Sequence, residues 1–313
     1  MAYSLLEPQA AEQMDRCVEA HDQWRAAQAS LSVLASDMKW VTCPDGDHLH
    51  RVSAKTGEML GDLGLKTAAL TAIHDRHADR QREARRSSED AVARLAEVAR
   101  DNVAMGTARV PNIVIRIIEV LWSQGLMDFY RVIGTHALYA YEAAARVTFD
   151  APTMATNDVD LLWDVQKRVK FFELMRKADL SMIDVLKMAD PTFERNEENK
   201  ESAINDTTFS VDFLRRPKPE PEPDAFPISG KEGDVFPVKA PRAELFLQAS
   251  VFEQAVVGLD GRITCMRTIN PKTFVDFKMW MSDQPDREFR KRRRDAAQAG
   301  AVQQLIDEGR LQA

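Results

Sequence analysis

The sequence predicts an α+β protein whose mixed sheet is flanked by helices. Residues 1–108 are dominated by charged segments with apolar positions at helical spacing, interrupted by one short stretch of alternating strands. Helix and strand patterns alternate over residues 109–270. Residues 271–313 are helical again. We therefore expect a mainly helical N-terminal region carrying a small β-meander, a sheet-containing core and a helical C-terminal segment, with these boundaries.

Composition is typical of a globular protein that does not cross a membrane. The chain has 313 residues, of which 44% are hydrophobic and 29% charged. Apolar stretches such as residues 113–122 end well before the roughly 20 residues that a membrane-spanning helix needs. The N-terminus lacks the pattern of a secretory signal, so we expect a cytoplasmic location. A net charge of -7 argues against a surface shaped as a whole to coat nucleic acid.

The N-terminal region predicts helices on either side of a meander. Residues 5–35 show helical spacing, and residues 66–104 form a long charged helix. Between them, residues 39–61 contain short alternating runs separated by turn signals. The boundary with the core is expected at residues 105–111.

Cys43, His48 and His50 within the meander are potential zinc ligands by residue type. A fourth ligand at metal spacing is missing, however, and residues 44–47 (Pro-Asp-Gly-Asp) form a turn. The sequence therefore favours a structural role for these three residues. Three cysteines far apart in sequence indicate reduced thiols rather than a disulfide framework.

The core and C-terminal patterns give a series of elements. The helices are expected at residues 112–123, 136–146 and 166–178 and from 271 onward, and the strands at 129–133, 159–163, 208–214, 246–257 and 262–269. Residues 215–242 are rich in proline and acidic residues, which predicts a long excursion or partly mobile loop outside the core.

Acidic residues in two of these strands are candidates for metal ligands. Asp158 and Asp160 are two residues apart, so in a strand both project to one face, about 7 Å apart at Cα. The apolar residues 161–163 indicate that this strand is buried, where unpaired carboxylates are costly and a divalent cation would neutralise them. An isolated D-x-D more often marks a solvent-facing strand end, but Asp212 places a third acid inside an apolar strand.

Gly134 and Thr135 lie between a strand and a helix. Glycine there lets the backbone approach a ligand, and the helix N-terminus offers free N–H groups to a phosphate. Taken alone, this pattern is weak, and a tight structural turn is the alternative.

Together these residues resemble the nucleotidyltransferase-fold proteins related to DNA polymerase β, and within them a bacterial branch of minimal or toxin-like nucleotidyltransferases. The resemblance spans residues 111–300. The motifs that carry it are Gly134-Thr135 with Ala137 and Tyr141, residues 156–161, Asp212, residues 270–274 with Lys278, and residues 290–295 with Gln298 and Ala299. Thr135 departs from the serine or glycine more frequent in the family, but keeps the hydroxyl of serine.

The resemblance implies a nucleotidyltransferase-type sheet and a Mg²⁺-dependent, ATP-binding enzyme that moves NMP from an NTP to a hydroxyl. Asp158 and Asp160 would hold two Mg²⁺ ions, with Mn²⁺ as a substitute, and Asp212 would complete the site of the ion that activates the acceptor. Gly134 and Thr135 would cradle the phosphates, and the C-terminal segment would complete the nucleotide site. Its expected nucleotide-binding residues are Lys278, Lys291 and Asp295.

The acceptor is not named by the sequence, and three alternatives stay open. RNA, such as a tRNA end, is the preferred acceptor, with the basic residues 290–294 as its contact; such runs are otherwise usually solvated helix faces. The second is a toxin-like enzyme that modifies a protein. The third is a protein of the same fold that binds NTP without turnover.

Overall fold

A computed structural model of the chain describes residues 3–34, 36–54, 56–217 and 226–312. The chain divides into two compact units, a larger one of Met1–Asp15 with Asp101–Ala313 and a smaller one of Arg16–Arg100. The predicted α+β class, with a mixed sheet and helical C-terminus, is confirmed. Within the described ranges, no helix has both the length and the apolar character needed to cross a membrane.

The predicted N-terminal helices and meander are present. Strand β1 (Tyr3–Leu5), which belongs to the larger unit, comes first. It is followed by helix α1 (Pro8–Val33), strands β2 (Ser36–Cys43), β3 (Gly46–Ser53) and β4 (Met59–Leu65), and helix α2 (Ala68–Asn102). Strands β2, β3 and β4 form an antiparallel sheet in sequence order, which confirms the predicted meander.

The larger unit contains the remaining elements. Its helices are α3 (Asn112–Ser123), α4 (Ala137–Ala145), α5 (Ala151–Met154), α6 (Arg168–Ala178), α7 (Met182–Ala189), α8 (Ala243–Gln248), α9 (Pro271–Ser282) and α10 (Phe289–Asp307). Its strands are β5 (Tyr130–Ile133), β6 (Val147–Phe149), β7 (Asp158–Trp163), β8 (Glu194–Arg195), β9 (Ser202–Ile204), β10 (Ser210–Arg215), β11 (Val238–Lys239), β12 (Val251–Val257) and β13 (Ile263–Ile269).

A mixed sheet organises the larger unit. Its strands follow the order β12-β13-β5-β7-β10-β9-β8, and β11 also pairs with β10. The central pair, β7 and β10, is parallel, whereas β5 runs antiparallel to β7 and β9 antiparallel to β10. Buried residues Leu161, Leu162 and Trp163 make the second half of β7 apolar on both faces, as expected for a strand covered on both sides.

Helices α4, α9 and α10 pack together in one apolar core. The Tyr141 ring of α4 makes edge-to-face contacts with Phe252 and Phe274, and its hydroxyl donates to the Ile269 carbonyl oxygen at 2.8 Å. Pro271 begins α9 directly after the Asn270 cap, whose side chain accepts the Lys272 amide at 2.9 Å. This core holds the C-terminal helices to the end of β13.

The expected excursion over residues 215–242 is in part a packed segment. Residues 218–225 lie outside the described residues. Arg215, by contrast, is the last residue of β10 and fully buried, and its Nε donates to the Pro237 carbonyl oxygen at 3.1 Å. The prediction of a segment outside the core is wrong here, because the guanidinium can be buried when backbone oxygens accept its hydrogen bonds.

Asp234 is one acidic residue of this segment that is also buried. Its side chain is fully buried, and its carboxylate accepts backbone N–H groups of Met182, Ser229 and Val235 at 2.9–3.2 Å. It therefore satisfies free N–H groups at the start of α7, where the helix dipole favours negative charge. Proline and acid content alone do not reveal such a partner.

The strand predicted at residues 246–257 begins later than expected. Residues 246–248 are helical and end α8, and β12 starts at Val251. The Arg131 guanidinium donates to the carbonyl oxygens of Phe246, Leu247 and Ala249. A cation at the C-terminal end of a short helix stabilises its unpaired carbonyls, and the local sequence does not show it.

Candidate active site

Strand register brings Asp158, Asp160 and Asp212 together. In the parallel pair of β7 and β10, Asp160 lies directly opposite Asp212, and Asp158 is two residues before Asp160. Since alternate residues share one face, the three side chains project to the same side of the sheet. Each carboxylate offers an oxygen within 4.8 Å of one from each of the other two. The acids that the sequence singles out are thus neighbours in space.

Hydroxyl groups orient two of the three carboxylates. The Thr156 hydroxyl donates to Oδ1 of Asp158. On the neighbouring strand β9, the residue opposite Asp212 is Ser202, whose hydroxyl donates to Oδ1 of Asp212 at 2.7 Å. These short side chains hold the acids in defined rotamers without adding positive charge.

Burial and mutual repulsion make the acidic cluster electrostatically unfavourable. Burial, then the charges of Asp158 and Asp212, raise the pKa of Asp160 to about 7, and the nearby cations Lys278 and Arg294 only partly offset this. Burial also raises the pKa of Asp212; the Ser202 hydroxyl opposes this shift and Asp158 adds to it. A bound cation would therefore stabilise the cluster by offsetting this repulsion.

Gly134 is required by the close approach of the backbone to Asp160. It directly follows Ile133, the residue opposite Asp160 in the β5–β7 pair. Its φ of +68° is in the left-handed region, and a Cβ at this position would overlap Oδ2 of Asp160. A larger residue would have to displace the carboxylate.

Thr135 is buried next to this glycine, and its hydroxyl contacts α10. Gln298 Nε2 donates to Thr135 Oγ1 at 3.1 Å and to the Thr153 carbonyl oxygen at 2.8 Å. Because Thr135 Oγ1 accepts this bond, its own proton remains available to a ligand oxygen. Gln298 was part of the resemblance but was given no role by the sequence.

Lys278 is a buried cation rather than a solvated helix residue. It is 5% exposed, and its Nζ lies 2.8 Å from Oδ1 of Asp295, which is fully buried. Arg287 Nε contacts the other oxygen of Asp295 at 2.5 Å. Burial lowers the pKa of Lys278, while the charges of Asp295 and then Asp160 oppose the shift. Lys291 is exposed on α10, one turn before Asp295.

Two further residues beside the cluster were not assigned to it from the sequence. Arg294 belongs to the basic run, yet it is partly buried, donates to the Ala155 carbonyl oxygen at 2.9 Å and lowers the pKa of Asp160. His136 is buried, and burial lowers its pKa to about 4 although Asp158 acts in the opposite direction. His136 directly follows Gly134-Thr135, which was the available signal for it, whereas the basic run gave no local signal that Arg294 lies beside Asp160.

The donor set fits a hard divalent cation. Its three members are carboxylates, the oxygen ligands that Mg²⁺ and Mn²⁺ prefer. The raised pKa values of Asp160 and Asp212 indicate negative charge that the surrounding protein does not fully neutralise. The residues present are therefore suited to hold such ions.

Comparison with known proteins gives one match. A family model described as nucleotidyltransferase matches residues 112–313, which include every element from α3 to α10. No curated protein and no solved structure matches the chain.

Replacing Gly134 tests the close approach to Asp160. We expect Gly134→Ala to destabilise the protein by at least about 1 kcal/mol, because alanine disfavours the left-handed backbone and its Cβ displaces the carboxylate. Gly300→Ala is the control, since Gly300 lies in α10 and an added Cβ meets no atom within 4 Å. Urea unfolding of both variants measures the difference. Gly300→Ala should be at least as stable as the wild type, and a Gly134→Ala protein as stable as the wild type would contradict the geometry.

The raised pKa of Asp160 makes stability depend on pH. Because its folded pKa of about 7 exceeds the ordinary value of 3.8, ionisation between these values weakens the folded state. In EDTA we therefore expect Asp160→Asn to be more stable than the wild type at pH 8, on the order of 1 kcal/mol, and to lose this advantage near pH 4. Thermal unfolding across this range provides the measurement, with the exposed Asp307→Asn as control. An advantage that does not change with pH would refute the assignment.

Proposed function

The chain belongs to the nucleotidyltransferase family whose model covers residues 112–313, and we propose that it transfers NMP from an NTP to a hydroxyl of an acceptor with the help of divalent cations. The observation that carries this proposal is the convergence of three carboxylates on one face of β7 and β10, next to the Gly134 turn.

The three carboxylates are proposed to bind two cations, with different parts for the β7 and the β10 residues. Asp158 and Asp160 hold two Mg²⁺ ions, for which Mn²⁺ can substitute, and Asp212 completes the site on the acceptor side. Ions bound there would neutralise charge on the phosphates and on the attacking and leaving oxygens. The repulsion between the three acids supports this assignment, because it is relieved when cations bind.

Gly134 and Thr135 are proposed to receive the β and γ phosphates. Gly134 is partly exposed and its backbone lies against the Asp160 carboxylate, and the Thr135 hydroxyl retains a proton to donate. The N-terminus of α4 begins two residues later, at Ala137, and favours anionic groups. A triphosphate placed here would lie beside the carboxylates that hold its cations.

Cations on α9 and α10 are proposed to complete the nucleotide site. Lys278 supplies a positive charge beside Asp160, and Asp295 acts through Lys278 by holding its ammonium group. Arg294 adds a second charge on the same side. Lys291, which is exposed, would contact the phosphates from solvent.

The proposed transfer is an in-line displacement at the α-phosphorus. The acceptor oxygen forms a bond to the α-phosphorus. At the same time the bond between this phosphorus and the oxygen that bridges it to the β-phosphorus breaks, and pyrophosphate leaves with the electron pair. The acceptor proton passes to a neighbouring base, and Asp212, the carboxylate on the acceptor side, is the proposed base. Positioning and charge neutralisation supply most of the catalysis in phosphoryl transfer.

RNA is the acceptor that we propose, with the start of α10 as its contact. Arg290 and Arg293 are exposed, whereas Arg294 of the same helix lies next to the carboxylate cluster. Positive charge thus extends from the cluster to the surface, which suits a phosphate backbone whose terminal hydroxyl must reach the site.

Incubation with labelled substrates distinguishes RNA from the alternatives. The protein would be mixed with total cellular RNA and protein and with each α-labelled NTP in turn. Label in RNA supports the proposal, and label in protein supports a toxin-like enzyme that modifies a protein. Mg²⁺-dependent ATP binding without pyrophosphate release would indicate a protein that binds NTP without turnover.

Loss of single carboxylates tests the metal role. We expect Asp158→Asn and Asp212→Asn each to reduce pyrophosphate release at least about 100-fold, because each removes a ligand whose ion stabilises the transition state by several kcal/mol. Asp307→Asn, an exposed acid at the far end of α10, should keep wild-type rates. If Asp158→Asn retained the wild-type rate, the proposed role of this cluster would be wrong.

The salt dependence of RNA binding tests the acceptor surface. We expect affinity to fall steeply with salt, and Arg290→Gln with Arg293→Gln to reduce the slope of log affinity against log salt by roughly 1 per arginine. Arg176→Gln, an exposed arginine in the last turn of α6, is the control. Filter binding of labelled RNA at several salt concentrations gives the slopes. An unchanged slope in the double variant would exclude these arginines as RNA contacts.

A further inference from the structure

Two histidines and an aspartate share one face of the meander in the smaller unit. His48 and His50 are two residues apart on β3, and Asp62 of β4 lies opposite His50. Strand alternation and direct pairing place all three side chains on the same face. Each offers a potential ligand atom within 4.8 Å of those of the other two.

The distances define which atoms face each other. Asp62 Oδ2 lies 2.9 Å from Nδ1 of His48, and Asp62 Oδ1 lies 3.8 Å from Nε2 of His50. The Gly64 amide donates to Asp62 Oδ1 at 2.8 Å, which orients the carboxylate toward the two rings. The His48 and His50 side chains are 16% and 14% exposed, so both rings are held against the sheet while remaining accessible.

A second carboxylate contacts the far side of His48. Asp45, in the turn before β3, places Oδ2 3.1 Å from Nε2 of His48. In metalloproteins a ligating histidine commonly donates its other ring N–H to a carboxylate, which fixes the tautomer and raises the basicity of the ligating nitrogen. Asp45 is placed to accept this hydrogen bond from Nε2 of His48, because Nδ1 of the same ring faces His50 and Asp62.

The geometry points to a second metal site, in which His48 Nδ1, His50 Nε2 and the Asp62 carboxylate bind a divalent transition-metal ion of the Zn²⁺, Co²⁺ or Ni²⁺ type. Imidazole nitrogens select such borderline ions, whereas the three carboxylates near β7 and β10 suit Mg²⁺ and Mn²⁺. Three protein ligands leave at least one coordination position for water or another ligand. The site does not depend on the proposed transferase activity.

The proposed site includes a residue that the sequence spacing did not reveal. Sequence spacing offered no further ligand beside Cys43, His48 and His50. The third ligand comes instead from β4, because antiparallel pairing brings Asp62 next to His50. Cys43 is not part of this ligand group; it pairs with Gly46 at the end of β2. A bound ion would link β3 to β4.

Metal titration of the full chain tests the site. Metal-free protein would be titrated calorimetrically with ZnCl₂ in excess Mg²⁺, which occupies the carboxylate cluster, and its Co²⁺ complex examined for the visible bands of nitrogen-ligated cobalt. We expect one Zn²⁺ per chain, and a rise in Tm on binding. His48→Gln and His50→Gln should each weaken Zn²⁺ binding at least about 10-fold and remove the cobalt bands.

Two variants make the result interpretable. His50→Gln is the less disruptive replacement, because the His50 ring is 3.8 Å from Asp62, beyond hydrogen-bonding distance, and circular dichroism would verify folding. His74→Gln, a partly buried histidine on α2 next to Asp75, is the matched control and should bind Zn²⁺ as the wild type does. Equal Zn²⁺ affinity in His50→Gln and His74→Gln, or no Zn²⁺ binding by the wild type, would overturn the proposal.

Discussion

The register of the parallel strands β7 and β10 is the constraint on which the candidate active site depends. It sets Asp160 against Asp212 and thereby concentrates three negative charges on one face of the sheet. Three neighbouring carboxylates repel one another, and the surrounding residues accommodate them. Gly134 leaves room for the Asp160 carboxylate, hydroxyl groups orient the other two acids, and buried Lys278 brings partial compensation. The compensation is incomplete, which is the physical reason for expecting cations.

The sequence predicts part of this cluster from local signals. Alternation in β7 fixes the shared face of Asp158 and Asp160, whereas the link from these two acids to Asp212 came from the resemblance to nucleotidyltransferases. The partners of these acids depend on tertiary packing instead. Arg294 sits in a basic run that is typical of a solvated face, and only the placement of α10 turns it toward Asp160. The burial of Asp234 arises in the same way, from elements distant in sequence, whereas the pairing of Asp62 with His50 depends on the register of the neighbouring strands β3 and β4.

The two ligand clusters differ in the chemistry they favour. The cluster of the larger unit consists of carboxylates and suits ions that exchange readily and keep water, as a transferase needs. The cluster of the smaller unit contains two imidazoles, and Asp45 supports one of them. This difference allows the ions to be distinguished in one protein, since Mg²⁺ does not compete effectively for imidazole. Catalysis at the carboxylate cluster and stabilisation of the meander by a bound ion can therefore be measured independently.

The number of cations bound at the carboxylate cluster can be measured directly. Electron paramagnetic resonance would count the Mn²⁺ ions bound by metal-free protein in the presence of ATP, with the intact carboxylate cluster and with Asp160→Asn, both in a His50→Gln background that removes the histidine cluster. We expect the protein with the intact cluster to bind two Mn²⁺ ions per chain, and Asp160→Asn to lose this binding while remaining folded. Equal Mn²⁺ binding by the two proteins would contradict a metal role for the carboxylate cluster.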